Sequence, residues 1–304
     1  MTEKEATYRF LLPTPSGYEF QGRFTIYSTE LDGVHTKIDG TLYLGNPKQQ
    51  KEDACVTISV HFPESAAAYK KKWGRNPLFD PSVASLVLTK HDTACSETKP
   101  LLSGKGTVEM ITAGMSLIKQ LCEFVTSIDL KDMSTRKCDN GASISLSYFY
   151  ITIHKQTWYE KQFEASLRPE SNMVAYREAV DTLLSMPLEP FASFSVHFLR
   201  GCNEQVKKAI KQAYDASNTM EEFFHTLYET HGIPMGCILV SDWLEKMMKA
   251  AKMQPYLEQE WYIDIKTIPS WRFSNESMTL RIIKGNRSTV KKGIWGGKRK
   301  TRRH

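Results

Sequence analysis

Between residues 107 and 122 the apolar side chains fall at Val108, Ile111, Met115, Ile118 and Cys122. The steps between them are three, four, three and four, which puts all five on one face of a helix. Before this stretch stands the glycine-rich turn Ser103-Gly104-Lys105-Gly106-Thr107, and before that the strand-like run Ser85-Leu86-Val87-Leu88-Thr89. After it, residues 125–130 read as a second strand with Ile128 and Leu130 on one face. Strand, turn, helix and strand in this order predict a parallel crossover, because parallel neighbours need a connection that runs back along the sheet. The expected class is therefore α/β (α+β), with a mixed central sheet flanked by helices.

The first hundred residues extend that sheet. Residues 18–27, 41–44 and 56–62 alternate apolar and polar with period two, and Asp32-Gly33 and Gly45-Asn46-Pro47 supply turns between them. Residues 65–73 form a short helix ended by Gly74 and Pro77. A polar loop is expected at 133–141, then a long apolar segment at 144–163 whose β-branched and aromatic core, 148–153, leaves helix and strand open. Beyond residue 170 the pattern is mostly helical, clearest at 203–217 and 219–230, with Thr219-x-x-Glu222 as a capping box. Strand returns at 261–265. The expected organisation is an α/β domain over 1–170, a mainly helical region over 171–283 and a basic tail over 284–304.

Charge separates the tail from the rest. Residues 284–304 hold nine Lys or Arg and no acid, while the whole chain is +6, so the first 283 residues carry −3. The tail is expected to be disordered, and either to bind nucleic acid without sequence preference through counterion release or to serve as a solubilising or targeting segment; nucleic-acid binding is not expected of the fold. No apolar run approaches the roughly 20 residues of a membrane span. Met1-Thr2-Glu3-Lys4-Glu5-Ala6 lacks an apolar signal core, so a cytoplasmic and not a secreted protein is expected. The six cysteines, at 55, 95, 122, 138, 202 and 237, include no Cys-x-x-Cys and read as reduced thiols. No His-x-x-x-His or His-Glu-x-x-His occurs, so no metal is expected.

Two segments carry chemical content. Glycines in the 103–107 turn let a backbone approach a ligand closely, and a helix starting near Thr107 offers unpaired N–H groups and a positive dipole end, which suits a pyrophosphate. The same residues also serve as a plain capped turn. The turn is not a P-loop, and the third glycine of a dinucleotide fingerprint would fall at Glu109. The second segment is Thr157-Trp158-Tyr159-Glu160-Lys161-Gln162-Phe163. Tyr159 has a phenolic proton to donate. The alternative is amphipathic packing, with Trp158 and Phe163 inside and Glu160 and Lys161 in solvent.

Taken together, the order of elements and these two motifs resemble the GNAT superfamily of N-acetyltransferases. Its turn motif, Gln/Arg-x-x-Gly-x-Gly/Ala, is similar to Leu101-Leu102-Ser103-Gly104-Lys105-Gly106, with Leu101 in place of Gln/Arg. Its Tyr-Glu-x-x-Gly-Phe segment is similar to Tyr159-Glu160-Lys161-Gln162-Phe163, without the Gly. The 106–111 and 157–163 segments, with the basic ending, also resemble a GNAT-like group from giant nucleocytoplasmic DNA viruses, which implies host cytoplasm or virion. The resemblance implies acetyl-CoA as the acyl donor. Ser103, Gly104, Lys105, Gly106 and Thr107 would hold its pyrophosphate, its pantetheine arm would lie along residues 85–92, and Tyr159 would protonate the leaving thiolate. Asp92, Glu97 and Asp132 are the candidates for the base that takes the amine's proton. The other implied possibility is a binding or virion protein that keeps the fold without the catalysis.

Overall fold

In a computed structural model of the chain the described residues are 2–31, 34–45, 54–88, 95–102, 104–130, 135–138, 141, 143–188, 204–253, 256 and 259–284. Phe10 and Leu12, Phe20, Gly22 and Phe24, Leu42 and Leu44, and Val56, Ile58 and Val60 recur at every second position and are buried. Period two puts them on one face of four antiparallel strands: β1 (Thr2–Pro13), β2 (Glu19–Leu31), β3 (Val34–Leu44) and β4 (Val56–His61). The opposite face is polar; the register aligns Thr7, Thr25, Thr41, Ser59 and Ser85 across five strands. The helix α1 (Pro63–Trp73) leads into β5 (Val83–Leu88), and α2 (Lys105–Leu121) then connects β5 to β6 (Ser127–Leu130). β5 and β6 are parallel, as the sequence predicts, and every other pairing in the sheet is antiparallel.

A small hairpin follows, β7 (Thr135–Lys137) with β8 (Ser143–Ser145), where a loop is expected. Then come α3 (Leu146–His154), α4 (Trp158–Phe163), β9 (Ser166–Leu167), α5 (Glu170–Ser185), α6 (Glu204–Asp215) and α7 (Met220–Ala250), the last broken at Gly232. The segment whose type the sequence left open is therefore helical. Its apolar residues Phe149 and Ile151 are buried, so packing overrides their strand preference. Thr219 caps α7 by accepting the Glu222 N–H at 3.3 Å, while the Glu222 carboxylate reaches back to the Asn218 N–H at 2.7 Å.

The strands β10 (Trp261–Asp264) and β11 (Ser274–Lys284) complete a nine-stranded sheet in the order β11-β1-β2-β3-β4-β5-β6-β10-β9. The expected division at residue 170 therefore runs through the sheet: strands from beyond it lie next to β6 and β1. The pairing of β11 with β1 joins residues nearly a whole chain apart and has no local signal.

The β10–β11 connection shows that the sheet curls. Seven strand spacings separate β10 from β11, about 34 Å on a flat sheet, and the register adds roughly 20 Å along the strands. Ten peptide units from Asp264 to Ser274 span at most about 36 Å when fully extended. This stretch also contains turns, with Thr267 N–H bonded to Asp264 O. A flat sheet is excluded, and the strands wrap around α2. Residues 265–273 cross the outer side of that helix as a belt. Ser116 Oγ donates to Pro269 O at 2.5 Å, Lys119 Nζ to Ile268 O at 2.6 Å, and Gln120 Nε2 to Phe273 O at 3.2 Å. Enclosed in this way, α2 is buried from Glu109 through Ile118, and Gly114 admits Leu44, whose Cδ1 lies 2.7 Å from where a Cβ would sit.

Candidate functional site

The N-terminus of α2 lies at the end of the sheet where Leu88 and Leu130 finish β5 and β6. Gly104 is its N-cap, at φ 78 and ψ −101, exposed, with no atom within 4 Å of where a Cβ would stand. That backbone conformation suits glycine. As N-cap, Gly104 has no side chain to cap the helix, and the first turn of α2 holds no acid. Its leading N–H groups thus face the open side of Gly104 with the positive end of the dipole. Lys105 is exposed beside them.

Gly106 and Thr107 are buried. A Cβ on Gly106 would lie 3.0 Å from Leu101 Cδ1 and 3.1 Å from the Tyr18 hydroxyl. Gly106 is therefore a packing glycine, and the open position is Gly104. Leu101, where the resembling family has Gln or Arg, is a core residue lying against Gly106. Ser103, Asp92 and Asp132 lie outside the described residues, as do residues 285–304 of the basic tail. Glu97 is exposed, and its N–H donates to Glu19 O at 2.9 Å.

The wall of this site comes from segments that carry no local sequence signal for it. Tyr18 belongs to the β1–β2 turn, and residues 95–99 hold that turn in place. Thr98 Oγ1 donates to Gly17 O at 3.0 Å, Lys99 Nζ to Ser16 O at 2.5 Å, and the same ammonium lies 4.2 Å from the Tyr18 ring centroid. From below, Glu109, only 9% exposed, accepts hydrogen bonds from Ser16 and Thr14. Burial pushes its pKa up, but those bonds and the Lys105 charge outweigh burial and hold it below the ordinary carboxylate value. Its Oε2 is buried and has no hydrogen-bond partner among the described residues. The α2 N-terminus thus has an ionised carboxylate about one turn below its open glycine. A buried acid two positions past a helix's first turn carries no sequence signal of its own.

The expected reduced thiols are not what the structure shows. Cys55 and Cys95 form a disulfide that anchors the start of the 95–102 segment to the start of β4, and Cys138 is disulfide-bonded as well. The sheet brings together cysteines 40 residues apart, so no short spacing announces them. Among the described residues Cys122 is the free thiol, and burial pushes its pKa up to about 12.

Tyr159 belongs to a second cluster. It is 4% exposed in α4, its ring 4.9 Å from Trp158 and 6.3 Å from Phe163. Glu160, expected in solvent, is 5% exposed instead. Its Oε2 accepts the Thr157 N–H at 2.8 Å, closing a capping box, and the Tyr176 hydroxyl at 2.8 Å, while Oε1 faces Arg177 at 2.9 Å. Burial raises the Glu160 pKa, and these donors offset part of the rise. The fold brings residues 104–107 together with Thr14, Ser16, Tyr18, Leu101 and Glu109, and places Tyr159 with α4 and α5.

No cluster of three or more His, Cys, Asp or Glu side chains suited to a metal occurs among the described residues, and no described helix is long and apolar enough to cross a membrane. Comparison of the chain with protein-family models, curated proteins and solved structures finds no match.

Proposed function

We propose that the chain binds an acyl-CoA at the N-terminus of α2 and transfers the acyl group to an amine. One observation carries this reading. The parallel β5–β6 pairing ends at Leu86 and Leu130, while β5 continues to Leu88, so the β6-facing edge of Val87 and Leu88 has no strand partner among the described residues. This edge opens at the same end of the sheet as Gly104, and such openings at the carboxyl ends of parallel strands are where α/β sheets take ligands. In this proposal the first-turn N–H groups at Gly104 and the Lys105 ammonium hold the diphosphate. The free edge of Val87–Leu88 pairs with the amides of the pantetheine arm. The amine nitrogen bonds to the thioester carbonyl carbon, the C–S bond breaks, the Tyr159 hydroxyl gives its proton to the departing sulfur, and the proton lost by the amine passes through water to restore the phenol.

The burial of Tyr159 among Trp158 and Phe163 favours a second reading, a protein that binds the ligand on this scaffold without transferring the acyl group. Calorimetric titration of acetyl-CoA and CoA into the full chain, with a thiol-release assay, separates the two. Lys105→Glu, an exposed change, should weaken binding about tenfold or more, since it reverses a charge beside the diphosphate. Tyr159→Phe should lower kcat by roughly 10²–10⁴-fold with unchanged CoA affinity. Binding without thiol release selects the second reading. Absence of binding at millimolar ligand ends both.

A further inference from the structure

We propose that the end of α1 and the loop after it form a docking face for an anionic phospholipid surface. Lys70, Lys71 and Lys72 make up the last turn of α1, and Gly74, at φ 65, ends the helix with its N–H bonded to Lys70 O. Lysines in a last turn complement the helix dipole, which by itself accounts for the charge. It does not account for what stands among them. Trp73 is 58% exposed and Leu78 is fully exposed, with the exposed Arg75 between them.

The face is continuous. The half-buried Tyr69 ring lies 6.4 Å from Trp73 and 6.4 Å from Phe79, the neighbour of Leu78. Phe79 packs on His61 at 4.4 Å, which seats the loop on the end of β4. Arg75 donates to the Tyr69 hydroxyl at 3.4 Å, and the Lys72 ammonium lies 5.0 Å from the Trp73 ring. Lys72 and Arg75 therefore stand beside the aromatic pair Tyr69 and Trp73, and Lys70 and Lys71 add their charge to the same helix turn. The acids of this segment lie at its ends: Glu64 in the first turn of α1, and Asp80, which accepts both the N–H and the hydroxyl of Ser82.

Charge complementarity selects an anionic partner, and the apolar pair selects among anionic partners. An indole settles at the headgroup level of a bilayer, an aliphatic side chain gains by entering the acyl boundary, and lysines are drawn to anionic headgroups. A nucleic acid would use the cations and the indole, but it offers nothing to Leu78. No span is needed for this binding, in keeping with the absence of a spanning helix among the described residues.

The test is sedimentation of the full chain with vesicles of phosphatidylcholine, with and without phosphatidylserine. We expect binding only to the vesicles containing phosphatidylserine. Lys72→Gln should weaken it about fivefold, the share of one lysine near such a surface. Trp73→Ser with Leu78→Ser should weaken it about tenfold or more, and because both side chains are exposed the pair should melt like wild type. Any attraction of the nine cations of residues 284–304 to anionic vesicles would not depend on Trp73 or Leu78, so unchanged sedimentation of the double variant overturns the proposal. Brominated lipid should quench tryptophan emission in the wild type and quench it less in Trp73→Phe; equal quenching overturns the proposal as well. Loss of polynucleotide binding in the double variant, with no vesicle binding by the wild type, would assign the face to nucleic acid instead. None of these outcomes depends on CoA binding.

Discussion

Tyr176→Phe tests why α4 sits where it does. The variant keeps the ring, which meets Trp261 edge-on at 5.3 Å, and removes only the hydroxyl that donates to Glu160 Oε2. Glu160 is then left with the Thr157 N–H and the Arg177 guanidinium, which is itself 56% exposed and so screened by water. A hydrogen bond to a buried charged group contributes about 1.5–3 kcal/mol. The remaining N–H holds the carboxylate partly solvated and the variant no longer buries a hydroxyl, so we expect a loss near the lower half of that range, about 2 kcal/mol. That corresponds to roughly 30-fold in the folding equilibrium and a melting temperature lower by about 4 °C for a chain of this size. The loss should also depend on pH. Burial already raises the Glu160 pKa, and removing a donor raises it further, so the penalty applies to the ionised form. It should be full above the raised folded pKa and shrink as pH falls and the carboxyl takes a proton. Urea midpoints of wild type and variant across that range read both quantities. A difference under about 0.5 kcal/mol at neutral pH would mean that Glu160 is not held by this network, and the placement of α4, Tyr159 included, would need another cause.

Two further perturbations probe the walls of the α2 site. Glu109 has a folded pKa below its reference of 4.5, so its stabilisation is present above that reference and lost as pH falls through the folded value. Glu109→Gln should flatten the acid limb of the stability curve below pH about 4.5, and it should bind CoA more tightly because a negative charge has left the α2 N-terminus; a steeper acid limb would refute the assignment. Cys55→Ser opens a cross-link between residues 40 apart, for which the loop-entropy model gives about 4 kcal/mol. The variant should melt several degrees lower, and an unchanged melting temperature would show that the disulfide does not restrain the unfolded chain.

What the sequence made legible follows from which interactions are local. The apolar steps within 107–122 place α2 within two residues of its observed ends, because a helix face is written in the spacing of its own residues. Strands β2 to β6 were legible for the same reason, each alternating within itself. The first strand, the β11–β1 pairing and the curl of the sheet were not, since each is decided by partners far away in the chain. The candidate site divides along the same line. Gly104 is a local feature, a positive-φ residue at a helix start, and the sequence located it. The difference between Gly104 and Gly106 depends on Tyr18 and Leu101, which arrive from other segments, so two glycines that look equivalent in Gly104-Lys105-Gly106 have different surroundings. Glu160 shows the same principle in reverse. Helical spacing beside Trp158 places it on a polar face, yet Tyr176 and Arg177 from the following helix turn that face inward and make a buried carboxylate tolerable. A chain of this kind declares its helices and glycines one segment at a time, and it hides whatever depends on how the sheet closes around α2. The ligand question therefore turns on Val87 and Leu88, whose β6-facing edge has no strand partner among the described residues.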